Sequence, residues 1–570
     1  MNFLMGLSVG EKIALCGLII AAIGLIVQAI LHLLQKSMSY HYGNLGVTYQ
    51  KRGQLDKAEE MFNKVLKIEE KLGRPDSIAN AYGNLGLIYQ ERGDLDKAEE
   101  VFREGLKIDE KLGRLEGIAS KYGNLGLIYQ TKGQLNKAEE MLNKALEIDE
   151  KLGWLEGMAS NYGNLGLIYQ RRGQLDKAEE MHNKALEIDE NLGLQEGMAS
   201  DYGNLGLIYK TRGELDKAEE MFNNVLKIED KLGRQDSIAN VYGNLGLIYR
   251  RKGELDKAKE FHNKALEIDE KLGRLEGIAS QYAAIALVEK ARGNLSEAER
   301  LHLKGLEIEV KLGRLEGIAR QYCNLGVIYM DKGELNKAEE MHNKALEINE
   351  KLGRLEGMAI QYGNLGVIYK TRGELDKAEE MLKKSLEIAE KLELLEGMAS
   401  DYGNLGLIYQ TKGELDKGEE MFNKGLKIDE KLGRLEGIAS KYGNLGLIYQ
   451  TRGQLDKAEE MHNKALEVAE KLGLQELMAI QYGNLGVIYR IRGQLDKAEE
   501  MHKKALEIDK KLGRLEGMAN DYGNLGVIYE KRGDIGKARE YWEKARDLYK
   551  KIGMPQMVKK MEGWIEKLGK

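Results

Sequence analysis

A strict 40-residue period constrains this chain more than any other feature. The string YGNLGLIYQ recurs unchanged at 82–90, 122–130, 162–170, 402–410 and 442–450, and close variants fill the other slots from Tyr42 to Tyr522 without an insertion. Thirteen units therefore begin near 41, 81, 121 and so on to 521. A unit this short cannot bury its apolar face alone, but stacked neighbours can. One continuous solenoid is thus expected, where 570 residues would otherwise suggest three or four domains. The 68 glycines fit the same scheme, because five slots per unit (Gly83, Gly86, Gly93, Gly113 and Gly117 in one example) hold most of them. Only Pro75 and Pro555 interrupt the chain with proline, so long helices are permitted almost throughout.

Each unit reads as two helices. Asp96–Leu112 places Ala98, Val101, Phe102, Leu106, Ile108 and Leu112 near a 3.6-residue period. Asp96 with Glu99 three residues on has the spacing of a capping box. Gly113 falls where a helix end takes a left-handed residue. The second helix is predicted from about Leu115 to Lys132. A Lys or Arg precedes the next glycine in all thirteen units, from Arg52, Arg92 and Lys132 to Arg532. At that position a cation suits the negative end of the helix dipole.

The pattern Tyr82, Leu85, Gly86, Tyr89, Gly93, Ala98, Phe102 resembles the tetratricopeptide repeat, from about residue 36 to 550. The unit is six residues longer than the common 34 and lacks the closing proline. Longer units with a recurrent Asn-Leu-Gly are similar to those of kinesin light chains and cell-polarity adaptors. The resemblance implies an all-α, right-handed solenoid (a superhelix of about thirteen helix-turn-helix units) that binds proteins. Pitch known from shorter repeats need not transfer.

The N-terminus differs. Ile13 to Leu34 are 22 consecutive uncharged residues, spanning about 33 Å at about 1.5 Å per residue against a hydrocarbon core of about 30 Å. A cleaved signal is disfavoured, because the one small-x-small site, Ala22-Ile23-Gly24, is followed by further apolar residues. The expected organisation is a short flank (1–12), a transmembrane anchor (13–34), the solenoid (35–550) and a C-terminal capping helix (551–570). Lys12 on one side against Lys36, Lys51 and Arg52 on the other places the repeats in the cytoplasm by the positive-inside bias. The first repeat helix begins near Gln35, so the membrane segment either runs straight into it or bends at 37–39.

Composition narrows the function. With 87 Lys and Arg against 93 Asp and Glu, net −6, the chain lacks the basic excess of a nucleic-acid binder. Cys16 and Cys323 are too few and too far apart for a disulfide framework or a cysteine metal site. No phosphate-binding, zinc-protease or serine-nucleophile motif is present, and no cofactor or catalytic residue is assigned. His182, His262, His302, His342, His462 and His502 occupy the slot that holds Phe62, Phe102, Leu142 or Trp542 elsewhere, so they read as packing residues. They are too widely spaced for one metal, since adjacent helices lie about 8–10 Å apart.

The candidate binding residues are the asparagines two places after the first tyrosine: Asn44, Asn84, Asn124, Asn164, Asn204, Asn244, Asn324, Asn364, Asn404, Asn444, Asn484 and Asn524. Asparagine is a mediocre helix former, and its amide both donates and accepts, which suits the backbone of an extended peptide. Its other reading is a bond to the next helix that sets register. In the resembling family this position lines the concave groove. The glycine before it, Gly83 and its equivalents, would let a ligand approach closely. At position +8 the side chains vary from Gln90, Gln130 and Gln170 to Lys210, Arg250, Lys290, Met330 and Lys370, a basic middle that would prefer acidic segments. Unit seven (281–320) breaks the pattern with Ala284, Ala286 and Glu289. Two functions follow: a membrane-tethered scaffold that captures extended protein segments, or a self-assembling structural scaffold without a peptide ligand.

Overall fold

A computed structural model describes residues 8–568. Within them 27 helices follow one another, and no strand occurs among the described residues. The first five are α1 (Val9–Lys51), α2 (Leu55–Leu72), α3 (Pro75–Arg92), α4 (Leu95–Leu112) and α5 (Leu115–Thr131), and the same alternation continues to Lys567. The chain forms two compact units, to Gly277 and from Ile278, each a stack of helical hairpins.

In the first unit, α3 and α4 form one hairpin, and α4 then packs on α5 of the next. Their apolar faces meet through Leu85, Ile88, Ala98, Phe102, Leu125 and Ile128, which are at most 2% exposed. Gly86 fixes the closeness of the hairpin, because a Cβ there would lie 2.5 Å from the Phe102 ring. In the second unit Gly446 stands the same way against the His462 ring.

The turn after α4 follows the sequence expectation. Gly113 has φ 66°, and the Arg114 N–H donates to the Asp109 carbonyl at 2.9 Å. Glycine occupies nearly all such positions. Among the described residues the only non-glycine with positive φ is Glu393, at 54°.

The start of α4 corrects the sequence reading. Asp94 is the N-cap residue, its side chain makes no capping bond, and no Asp96–Glu99 box forms. Both carboxylates instead reach Lys132, the residue that caps the C-terminal end of α5, at 2.7 and 2.6 Å, and the Tyr129 hydroxyl donates to Glu99. The cation before the glycine is therefore a clamp between hairpins. It recurs as Arg92 with Asp56 and Glu59, as Lys252 with Asp216 and Glu219, and as Lys412 with Asp376 and Glu379. Stacking brings the C-terminal end of one helix beside the first turn of the preceding one, and this proximity outweighs capping. Burial alone would raise the Glu99 carboxyl, but bonds from Lys132, Tyr129 and Arg103 outweigh it and pull it down to about 2.

At the N-terminus α1 runs 43 residues without a break. Ser8 and Glu11 form a capping box at its start. Ile13, Leu18, Ile20, Leu25 and Leu33 are each more than 60% exposed, and the segment is long and apolar enough to cross a membrane. The helix continues unbroken through 37–39, where Ser39 is buried and donates to Glu69 of α2. Residues 1–7 of the flank lie outside the described residues.

At the other end, the helix Pro555–Lys567 packs on Ile535–Lys551. It covers Trp542 and Tyr549, brings Trp564 to 5.2 Å from Trp542, and buries Met561. A solenoid end needs such a cover. Residues 569 and 570 lie outside the described residues.

Candidate binding groove

The asparagine row follows from helix geometry. Each of the twelve sits on the helix that carries the two tyrosines; Asn44 is exposed and the other eleven are half-buried. In Asn124, Asn244, Asn404 and Asn524 the amide donates to the carbonyl four residues earlier, at 2.8–3.2 Å. That bond satisfies one amide N–H of each side chain.

Consecutive asparagines share recesses. In the first unit Asn124 and Asn164 line a depression of about 350 Å³ with Ser120, Ser160 and Trp154. In the second unit Asn364 and Asn404 line one of about 620 Å³, and Asn484 and Asn524 one of about 390 Å³. Gly123, Gly363 and Gly483 are in their walls.

The +8 side chains bridge towards this row. Lys210 Nζ donates to Asn244 Oδ1 at 2.8 Å, Lys370 Nζ to Asn404 Oδ1 at 2.6 Å, and Gln170 to the Asn204 carbonyl at 3.3 Å. Burial lowers the Lys210 ammonium, helped by Arg251, and burial also lowers Lys370. Arg250 is half-buried, and its Nε has no hydrogen-bond partner.

Both units also hold buried polar pairs that sequence reasoning missed. His182, His302, His342, His462 and His502 are at most 1% exposed, as packing residues should be. Each also bonds through Nδ1 to a residue 19 positions later: Asp201, Gln321, Gln361, Gln481 and Asp521, at 2.7–2.9 Å. The signal was legible, because all six repeat-slot histidines, His262 included, have Asp or Gln at that spacing. Burial keeps His302, His342 and His462 below the usual histidine range, so they are neutral. Where Phe102 and Phe422 replace histidine, Lys121 and Lys441 stand opposite and pair with buried Asp109 and Asp429, at 3.0 and 2.7 Å.

A second variable position rims the recesses. Arg114, Arg434 and Arg514 lie 2.8–3.7 Å from the buried acids Asp109, Asp429 and Asp509. Trp154 takes this place in the first-unit recess, where it is 43% exposed, and Asn161 donates to Asp149 Oδ2 at 2.7 Å instead.

Comparison with known proteins decides the family. The tetratricopeptide repeat model matches residues 37–111 and 317–391, and the MalT-like TPR region matches 126–311 and 396–562, more than half of the chain. The chain belongs to the tetratricopeptide repeat family. No curated protein matches it. Among solved structures, BtubC (BKLC) from P. vanneervenii is 25% identical, covering 38% of this chain and 92% of that one at a TM-score of 0.36. The apo form of RapI is 18% identical over 48% of this chain and 99% of that one, with a TM-score of 0.40. The APC/C hetero-tetramer Cut9-Hcn1 is 16% identical over 92% and 96%, with a TM-score of 0.45. At these TM-scores the likenesses place no individual residue. As a tetratricopeptide repeat protein the chain presents stacked hairpins suited to protein interaction.

Proposed function

We propose that this tetratricopeptide repeat protein is a membrane-anchored scaffold that holds extended protein segments along its asparagine row. The observation that carries the reading is the recurrence of one recess, walled by asparagines of consecutive repeats, at 119–164, 356–404 and 479–524. An extended chain leaves its own N–H and C=O groups unpaired, and amides spaced along such a row can meet them. Several weak contacts then add through multivalency.

The test is photo-crosslinking in native membranes. A crosslinker at Ser160, in the recess wall, should form protein adducts, whereas one at exposed Lys144 should not. The combined change Asn124→Ala, Asn164→Ala, Asn204→Ala should reduce the adducts at least tenfold while helicity is kept, since each net hydrogen bond contributes about 0.5–1.5 kcal/mol. Unchanged adducts would remove the asparagines from this role.

The anchor is residues 13–34, and the flanking Lys36, Lys51 and Arg52 orient the repeats to the cytoplasm. Protease added to inside-out vesicles should therefore digest the repeats, while complete protection would reverse the orientation.

A further inference from the structure

The recess between the helices Leu355–Thr371 and Leu395–Thr411 departs from its equivalents at several positions that converge on one spot. Glu393 holds the left-handed turn that glycine makes elsewhere. A non-glycine residue is disfavoured in that conformation, and such strain clusters at functional sites. Leu394 replaces the rim arginine, and Ala389 replaces the buried acid that such an arginine neutralises. Ser385 replaces the Ala145 and Ala185 of other repeats.

Asp401 is the consequence. Three repeats carry aspartate at this position: Asp201, Asp401 and Asp521. Asp201 and Asp521 bond to His182 and His502, but Asp401 has Leu382 nineteen residues before it. Asp401 is 4% exposed and lines the recess, and its Oδ2 has no hydrogen-bond partner. The nearby Ser385 hydroxyl donates to the Ala359 carbonyl at 3.0 Å and also lies against the Asp401 carboxyl, which leaves Oδ2 as the oxygen without a partner. The walls add Glu356, Glu393 and Glu396 and contain no lysine or arginine. Ile360, Val367 and Leu394 supply the apolar side.

We propose that this recess takes the lysine or arginine side chain of an extended protein segment, the cationic group donating to Asp401 Oδ2 while its methylenes lie on Ile360, Val367 and Leu394. A buried carboxylate with one unpaired oxygen is costly until a cation reaches it, and a long aliphatic stem matches the apolar wall. The polarity is opposite to that expected from the basic +8 residues. The inference rests on the groove reading above, since the segment carrying the cation must lie along the row.

The probe is a dye-labelled nonapeptide of alanine and leucine with one central lysine, compared with its norleucine twin by fluorescence polarisation on the full chain in nanodiscs. The lysine peptide should bind at least tenfold more tightly. Asp401→Asn should erase that preference. Leu382→His should erase it too, by giving Asp401 the internal partner its counterparts have, in a slot that already accepts histidine beside Gly166 and Gly326. Equal binding of the two peptides, or a preference that survives both variants, would overturn the assignment. So would free n-butylammonium competing as well as the lysine peptide, because the ligand would then be a small amine. The combined variant Asn364→Ala, Asn404→Ala separates the two readings. If it weakens both peptides and neither is preferred, the groove stands and the cation site falls. If the lysine preference and both affinities persist, the asparagine row falls and the cation site stands.

Discussion

Replacing His182 by Phe should lower amide protection in the helices Leu175–Leu192 and Gln195–Arg212 by two to three orders of magnitude. His182 is fully buried, and its Nδ1 bonds to Asp201, which is 4% exposed. Removing one member of a buried pair costs about 3–5 kcal/mol, because the other charge stays behind without compensation. Burial already raises the Asp201 carboxyl, and only the bond and charge of His182 draw it back. Asp189 is close enough to feel Asp201 and is itself pushed up to about 6, by burial first and then by that neighbour. The ring itself is not the difficulty, since Phe222 fills the same slot one repeat later with Val241 opposite. Adding Asp201→Val should therefore restore most of the protection. Hydrogen exchange of the full chain is the suitable measurement, because a stack of repeats opens locally and has no single unfolding free energy. If the single variant exchanges like the parent, the buried pair has no structural weight.

Asp401→Asn should act in the opposite direction and with a defined pH dependence. Burial raises the Asp401 carboxyl to about 6 against an ordinary value of 3.8, with Ser385 only partly opposing it. A raised carboxyl means that the folded protein holds the proton more tightly than the unfolded chain, so the ionised form is the penalised one. Above about pH 6 the parent carries this penalty in full, and it fades as the pH falls towards about 4. The variant should thus be more stable locally by on the order of 1–3 kcal/mol near about pH 8, and should match the parent near about pH 4. Exchange in the helix Leu395–Thr411 at the two pH values checks this. A gain that does not depend on pH would mean that ionisation at Asp401 is not its source.

How much of this was legible can be followed along one repeat. Gly113 and Gly133 mark the ends of their helices, and Phe102 and His182 are packing residues; each follows from period and residue type alone. The asparagine row was also visible, as one residue type kept at one phase of a helix. Asp96 and Glu99 were misjudged, because within a single helix their spacing is that of a cap, and only the neighbouring hairpin supplies Lys132 and Tyr129. Lys210 and Lys370 are legible as a basic middle of the row, while their bonds to Asn244 and Asn404 emerge only from the stacked helices.

Local periodicity therefore determined the helices, their ends and their order, because hydrogen bonding and burial within a hairpin involve residues close in the chain. The partners of the buried polar groups were decided by stacking, which brings together residues 19, 33 and 36 positions apart, as in His182 with Asp201 and Lys132 with Glu99 and Asp96. The unpartnered oxygen of Asp401 is likewise a product of stacking. Leucine at 382 becomes a missing partner only when its helix is laid against the next.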